Sequence, residues 1–233
     1  MAHVPGVWDQ MRTCVTIPVY NEAQAIGGLV KKLREHKLDV VVVDDGSQDH
    51  SGKIAKEMGA VVLVHNERKG KGQSLRDGFA YAIENCYDGI IAMDGDGQHD
   101  VADVEQFLKK AQEHKDSIIC GNRMHNPKGM PHIRLVVNRI MSLVISFVCK
   151  QKVEDSQCGF RYMGVRILKE IPLISSDFEI ESEVLIEASK KGFKIFSVPI
   201  STIYRDEKSK INPLKDTIRF FKYILKEMCC SRK

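Results

Sequence analysis

The sequence lacks the marks of several large protein classes. No stretch among its 233 residues approaches the roughly 20 consecutive apolar residues that a membrane-spanning helix needs. The residues before Arg12 show no basic and then apolar pattern of a secretory signal. The net charge of +4 is too small to indicate a nucleic-acid partner. With 43% hydrophobic and 28% charged residues, the composition is that of a folded globular protein.

Cysteine pairs and phosphate-loop motifs are also missing. The seven cysteines are scattered, and no CxxC spacing occurs, which disfavours disulfide frameworks and zinc ribbons. We therefore expect reduced thiols and a cytoplasmic location. No GxxxxGK[ST] string is present, and the glycines at 70 and 72 do not complete GxGxxG. A P-loop site and a Rossmann-type dinucleotide site are therefore excluded.

Strand-like and helix-like stretches alternate through the first half of the chain. The strands are predicted at 15–20, 40–43, 61–64, 89–93 and 117–120, and the first is expected to end at Pro18. Helices are predicted at 23–36, 51–58, 73–85 and 101–114. This alternation predicts an α/β fold with a mostly parallel sheet and helices on both faces. Because no linker is visible, we expect an N-terminal tail over 1–12 and a single catalytic domain over 13–233.

The regular alternation of strands and helices ends after Arg123. An apolar segment of ten residues, 140–149, is flanked by basic residues and is too short to cross a bilayer. It fits either an interfacial helix or a buried core helix, and its composition alone favours the core. An amphipathic helix predicted at 215–228 fits core packing or an anionic lipid surface equally well.

Polar clusters follow four of the predicted strands. They begin at Pro18, Asp44, His65 and Asp94. One such cluster alone is usually turn chemistry, but the carboxyl ends of parallel strands meet at one edge of a sheet, where ligands bind. Four clusters together therefore predict a ligand site at that edge.

The Asp94-Gly95-Asp96 segment is the most chemically distinctive of these clusters. Its two carboxylates, with the amide oxygen of Gln98, are hard oxygen ligands that suit Mg²⁺ or Mn²⁺ bound to phosphate. The alternative is a turn with two surface carboxylates. The buried strand expected just before Asp94 favours the metal site.

Three segments resemble the signature of glycosyltransferase family 2, namely 17–22, 43–47 and 94–99. Later motifs at 155–161, 178–181 and 204–210 are similar to those of polyprenyl-phosphate sugar synthases, such as the dolichyl-phosphate mannose and glucose synthases. The resemblance implies a glycosyltransferase A fold with interfacial helices in the second half. It also implies a metal-dependent, inverting transfer of mannose or glucose from GDP-mannose or UDP-glucose. The acceptor would be a polyprenyl phosphate, and the enzyme would lie peripherally on the cytoplasmic face of a membrane.

The resemblance also implies roles for individual residues. It divides the domain into a nucleotide-sugar-binding half, 13–123, and an acceptor and membrane-facing half, 124–233. The implied nucleotide-sugar contacts are Pro18, Tyr20, Glu22, Val43, Asp45, Asp94, Gly95, Asp96 and Lys210. The implied acceptor-phosphate contacts are Arg123, Arg134 and Arg205. The expected metal ligands are Asp94, Asp96 and Gln98, and the expected catalytic residues are Asp94, Asp96 and Arg205.

Two other functions stay open at this point. The first is a family 2 enzyme with a soluble or glycan hydroxyl acceptor, for which Asp155 is the candidate base. The second is a non-catalytic nucleotide-sugar-binding membrane adaptor, which the retained Asp94 and Asp96 pair disfavours. A phosphate acceptor is already ionised at neutral pH and needs no base. A small membrane-anchoring subunit or a homo-oligomer stays open as a protein partner.

Overall fold

A seven-stranded sheet lies at the centre of the molecule, whose computed structural model describes residues 11–127, 129–177 and 179–201. The strands are β1 (Thr13–Val19), β2 (Asp39–Asp44), β3 (Val61–Val64), β4 (Gly89–Ala92), β5 (Ser117–Asn122), β6 (Arg161–Gly164) and β7 (Lys194–Pro199). Their order is β3-β2-β1-β4-β6-β5-β7, and β6 runs antiparallel to both of its neighbours. The other pairings are parallel, which confirms the predicted α/β class.

Within the described residues, seven helices connect and cover these strands. They are α1 (Ala23–Glu35), α2 (Ser51–Glu57), α3 (Lys71–Glu84), α4 (Val104–Glu113), α5 (His132–Cys149), α6 (Val165–Glu170) and α7 (Ile180–Lys190). Short 3-10 turns lie at Val101–Asp103 and Arg123–His125. The predicted helix at 215–228 and the basic motif at 204–210 lie outside the described residues.

Two hydrophobic cores cover opposite faces of the sheet. Alternate residues of β2 divide between them, since Val41 belongs to one core and Val40 and Val42 to the other. The first core includes apolar residues of α3, α5, α6 and α7, and the second includes those of α1 and α4. Because both faces are covered, the β-branched run of β2 is buried throughout, as expected for a central parallel strand.

Strand β1 continues one residue beyond Pro18, where it was expected to end. Its pairing with β4 stops at Thr16, whereas its pairing with β2 continues through Pro18 to Val19. The missing N–H of Pro18 therefore falls past the last pair with β4, where it interrupts no pairing with that strand.

Helix α5 is longer than the expected ten-residue segment. It spans 18 residues and, by length and composition alone, is long and apolar enough to cross a membrane. One face, with Met141, Ile145 and Cys149, is buried in the first core. The opposite face exposes a stripe of five apolar residues, Ile133, Val136, Ile140, Leu143 and Phe147. The expected burial of a core helix therefore applies to one face of α5. The described residues leave the other face uncovered.

Candidate active site

The loops after β1 and β2 are joined by hydrogen bonds at the carboxyl edge of the sheet. The backbone N–H of Asn21 donates to Ser47 Oγ at 3.0 Å, and that of Glu22 donates to Ser51 Oγ at 2.8 Å. Asn21 has a φ of 56°, a left-handed conformation that asparagine tolerates better than most residues. These bonds fix the start of α1 and the predicted nucleotide residue Glu22.

The aspartate that ends β2 shapes the loop that follows it. Asp44 Oδ1 accepts the N–H of Ser47 at 2.8 Å, and Oδ2 accepts the N–H of Gly52 at 3.0 Å. A Cβ atom at Gly52 would lie 2.3 Å from Asp44 Oδ2, so this approach requires glycine. Asp44 therefore closes the turn that leads into α2.

The second aspartate organises the loop after β3. Asp45 accepts the N–H groups of Lys69 at 2.7 Å and Gly70 at 2.9 Å, and its Oδ1 lies 2.8 Å from His65 Nδ1. The other nitrogen of that imidazole lies 2.8 Å from Asp77 Oδ2. Asp45 is buried, so the role visible in the structure is to hold residues 65–70 in place. Its contact with a nucleotide stays a prediction.

The other predicted nucleotide contacts from β1 and β2 differ in accessibility. Pro18 and Tyr20 are half-buried at the sheet edge, and the guanidinium of Arg68 lies 4.3 Å from the centre of the Tyr20 ring. This stacking brings the loop after β3 over the loop after β1. Val43, by contrast, is fully buried in the protein interior, and its contact with a nucleotide stays a prediction.

The carboxylate of Asp94 is enclosed by three parts of the chain. Its Oδ1 lies 2.6 Å from Lys71 Nζ, and its Oδ2 lies 3.5 Å from His99 Nε2. A Cβ atom at Gly159 would lie 2.7 Å from Oδ2, so the loop before β6 also closes on this group. Burial alone would raise the pKa of Asp94, but the charge of Lys71 and the hydrogen bond from His99 outweigh burial and lower it. Asp94 is therefore a carboxylate already paired within the protein.

Lys71 links two carboxylates that come from distant parts of the sequence. It is the first residue of α3, and its Nζ lies 2.7 Å from Glu181 Oε1 on α7 as well as 2.6 Å from Asp94 Oδ1. Burial alone would lower the pKa of Lys71, but the two negative charges outweigh burial and raise it. The ammonium group is therefore a fixed positive charge between the two predicted halves of the domain.

Asp96 is held less tightly than Asp94. Its Oδ1 accepts the N–H of Gln98 at 2.9 Å, and the side chain is half-buried. Burial raises the pKa of Asp96, and the negative charge of Asp94 raises it further. Gly95 between them packs closely on β1, because a Cβ atom there would lie 2.7 Å from Val19 Cγ1. Among the described residues Asp94 forms a close ion pair with Lys71, whereas no ion pair within 4.0 Å is found at Asp96.

These donors fit a divalent cation that is shared with a phosphate ligand. Among residues 11–127, 129–177 and 179–201, no group of three or more His, Cys, Asp or Glu side chains is arranged to hold a metal by itself. Mg²⁺ is commonly held by one or two carboxylates, with substrate phosphates and water completing its coordination. Asp96 and the Gln98 amide would supply that smaller protein share, and their role as metal ligands stays a prediction.

His99 is a buried residue beside this segment. Its ring centre lies 5.0 Å from that of Phe160, and its Nδ1 has no hydrogen-bond partner within the described part of the chain. The ring thus fills the space behind Asp94 and directs Nε2 towards its carboxylate.

Arg123 and Asp155 form a buried ion pair. The guanidinium donates from Nε to Asp155 Oδ2 at 2.7 Å and from Nη2 to Oδ1 at 2.9 Å. Asp155 is 0% exposed, an environment that disfavours the expected alternative role as a base for a hydroxyl acceptor. The acceptor contact of Arg123 stays a prediction.

Of the remaining basic candidates, only Arg134 lies within the described residues. Arg134 is half-buried in the first turn of α5, while Arg205 and Lys210 lie outside the described residues. Sequence reasoning assigned no role to Lys71, His65 or Glu181. The sequence features that could have identified them are the polar cluster after β3, which contains His65 and Lys71, and the 178–181 motif, which contains Glu181.

Comparisons with known proteins agree with this architecture. The profile of the glycosyl transferase family 2 matches residues 14–172. A dolichyl-phosphate N-acetylglucosaminyltransferase of Methanococcus voltae, named as using UDP-N-acetylglucosamine, is 32% identical over 213 residues, covering 82% of this chain and 85% of the relative. The polyprenol monophosphomannose synthase of Mycolicibacterium smegmatis is 27% identical over 210 residues, covering 84% and 78% of the two chains.

Solved structures give the same fold. Glucosyl-3-phosphoglycerate synthase from Mycobacterium tuberculosis, crystallised with Mn²⁺, UDP and glucosyl-3-phosphoglycerate, superposes with a TM-score of 0.71 at 17% identity. The match covers 97% of this chain and 84% of that structure. The fold is therefore the glycosyltransferase A fold, as expected.

Proposed function

Because this chain belongs to glycosyltransferase family 2, we propose that it transfers a hexose from a nucleotide-diphosphate sugar to a polyprenyl phosphate. The names of the two curated relatives, both polyprenyl-phosphate sugar transferases, support this acceptor class. We propose further that transfer occurs at a membrane surface with inversion at the anomeric carbon. The donor is a GDP- or UDP-linked sugar, with mannose and glucose as the expected hexoses.

The exposed apolar stripe of α5 is the observation that best supports a lipid acceptor. A polyprenyl chain must stay in the bilayer while its phosphate reaches the sugar, so the enzyme needs a face that contacts lipid. The exposed fraction is 70% for Leu143 and 76% for Phe147, while the opposite face of α5 is packed in the core. This division favours a helix that lies along the membrane surface over one that crosses it.

Hydrogen bonds connect this helix with the centre of the second half. The backbone N–H of Ser156 donates to Ser142 Oγ on α5 at 2.9 Å, and Ser156 follows directly after Asp155. Asp155 in turn holds Arg123 at the end of β5. A helix seated on lipid would thus be joined through short contacts to the loop beside the candidate site.

The residues at the sheet edge suit the chemistry of diphosphate departure. We propose that Asp96 and Gln98 hold Mg²⁺ or Mn²⁺, which when bound would neutralise the charge that develops on the diphosphate. The Mn²⁺ in the solved structure of similar fold supports this choice of ion. Pro18, Tyr20 and Glu22 are the proposed wall for the nucleotide.

An acceptor phosphate requires cations more than it requires a base. At neutral pH a phosphate monoester is largely a dianion and can attack without losing a proton. We propose that Arg134 and Arg205 bind this phosphate, because the guanidinium fork matches its oxygens. The burial of Asp155 in its pair with Arg123 supports this scheme over a hydroxyl acceptor activated by Asp155.

The direct test is a transfer assay with defined donors. We expect label from GDP-mannose, UDP-glucose or a UDP-linked relative to enter the lipid fraction only when polyprenyl phosphate is present in the vesicles. The same vesicles with the dephosphorylated polyprenol are the control. Equal transfer to the polyprenol would contradict a phosphate acceptor and favour a hydroxyl one.

Membrane attachment through α5 gives a second prediction. Replacing both Leu143 and Phe147 with serine should weaken binding to phosphatidylglycerol vesicles in a sedimentation assay, because both side chains are exposed and apolar. High salt should weaken wild-type binding as well, since Arg139 and Lys150 are exposed on the same helix and its end.

The matched control lies on the other face of the helix. Ile145 is fully buried, so Ile145→Ser should lower the free energy of unfolding by at least about 2 kcal/mol. The Leu143 and Phe147 double variant should instead melt near the wild-type temperature. Unchanged vesicle binding by that folded double variant would rule out α5 as the attachment face.

A further inference from the structure

Lys71 occupies a position that affects how the Asp94-Gly95-Asp96 segment can be used. Its ammonium group lies 2.6 Å from Asp94 and 2.7 Å from Glu181, and these three side chains are 18%, 29% and 13% exposed. We propose that Lys71 is a positioning residue that withholds Asp94 from the divalent cation, leaving Asp96 and Gln98 as its protein ligands. This inference rests on the proposed use of a metal and assigns a function to the Lys71 contact.

The geometry around Asp94 supports this assignment from each side. One oxygen faces the ammonium group, while the other faces His99 Nε2 and the backbone of Gly159. A carboxylate bonded to an ammonium ion at 2.6 Å has its charge largely neutralised locally. Asp96 shows no such pairing, since its described hydrogen bond comes from the backbone of Gln98.

The position of Lys71 is fixed by the backbone rather than by its own flexible side chain. Gly70 precedes it with a φ of 97°, a conformation that favours glycine, and the N–H of Gly72 donates to the carbonyl of Ser176 at 2.8 Å. A Cβ atom at Gly72 would lie 2.6 Å from the Ser176 carbonyl carbon. The start of α3 thus packs directly against the segment that precedes α7, and α7 carries Glu181.

The consequence for metal binding follows from the number of ligands. One carboxylate and one amide oxygen hold a divalent cation weakly until phosphate oxygens are added. Withholding Asp94 therefore makes metal binding depend on the diphosphate, so that cation and donor are retained together. Removal of the Lys71 charge would release Asp94 and strengthen binding of the cation alone.

The test measures Mn²⁺ binding alone by electron paramagnetic resonance titration of the full chain. Lys71→Met is expected to bind Mn²⁺ at least about fivefold more tightly than the wild type, because one nearby positive charge is lost and one carboxylate is released. Lys31→Met, an identical change at an exposed position of α1, is expected to leave Mn²⁺ affinity unchanged. A merely structural role for Lys71 would weaken binding or leave it unchanged.

A double-mutant cycle separates release of Asp94 from a general charge effect. In an Asp94→Asn background, replacing Lys71 with methionine should gain clearly less Mn²⁺ affinity than in the wild type. Equal gains in both backgrounds, or no gain in either, would overturn the proposal. If Lys71→Met fails to fold, Lys71→Gln carries the same expectation, since it removes the charge and keeps an N–H donor.

Failure of this inference is distinguishable from failure of the proposed function. The titration uses neither a sugar donor nor an acceptor, whereas the transfer assay reports both. A wild-type enzyme that transfers sugar while Lys71→Met shows no gain in Mn²⁺ affinity contradicts only the role of Lys71.

Discussion

Replacing Asp96 with asparagine is expected to slow sugar transfer at least about a hundredfold, a barrier change of a few kcal/mol. The reason is that Asp96 forms no ion pair within 4.0 Å among the described residues, whereas Asp94 is paired with Lys71. Excess EDTA should abolish transfer in the wild type, and added Mg²⁺ or Mn²⁺ should restore it. Initial rates with saturating donor and acceptor are the measurement.

Asp100→Asn is the matched control for this variant. Asp100 lies four residues further along the same loop, and its side chain accepts the N–H of Ala102 at 3.0 Å as a helix cap. Asparagine caps equally well, so activity should change little. Full activity of the wild type in excess EDTA would contradict the metal role, even if Asp96→Asn were slow.

The second large effect concerns stability. Asp155→Asn should lower the free energy of unfolding by about 3–5 kcal/mol, because it leaves the buried guanidinium of Arg123 without its counter-charge. Asp155 is 0% exposed and the Arg123 side chain 8% exposed, so water cannot replace the lost partner. Urea unfolding followed by circular dichroism measures the change.

The control for this prediction is the same substitution in an exposed ion pair. Asp116 lies 3.2 Å from Arg166, with side chains 42% and 63% exposed. Because exposed pairs contribute little, Asp116→Asn should produce only a small fraction of the loss seen for Asp155→Asn. Equal losses of unfolding free energy in the two variants would contradict the role assigned to burial of the Arg123 pair. Any activity lost in Asp155→Asn must be compared with its folded fraction before a base is inferred.

Local pattern was enough to predict the elements that carry the site. The run Val40 to Val43 has no polar interruption and is followed by Asp44 and Asp45, so both the strand and its end are visible in the sequence. The same holds for β4 and the Asp94 segment. These features depend on neighbours within a few residues, which is why the α/β class and the polar loops at the strand ends were predicted correctly, while ligand binding there stays a prediction.

Contacts between distant segments were not predictable in this way. Strand β6 is four residues long, is buried at every position rather than at alternate ones, and pairs with β4 and β5, which come from earlier parts of the sequence. Lys71 and Glu181 are 110 positions apart, so their contact depends on how α3 meets α7. Arg123 follows a strand end and therefore resembles a phosphate ligand in sequence, whereas its burial against Asp155 appears only in the fold.

The antiparallel strand β6 also determines when the β4 and β5 parts of the sheet can be joined during synthesis. It lies between β4 and β5, with Gly164 opposite Gly89 and Met163 opposite Ile118. Until Arg161 to Gly164 have emerged from the ribosome, β4 has an open inner edge and β5 has no partner on that side. The segment 13–123, although it carries most of the proposed nucleotide contacts, therefore cannot close its own sheet. Closure of the sheet across non-local partners is a late and slow step of folding for such topologies.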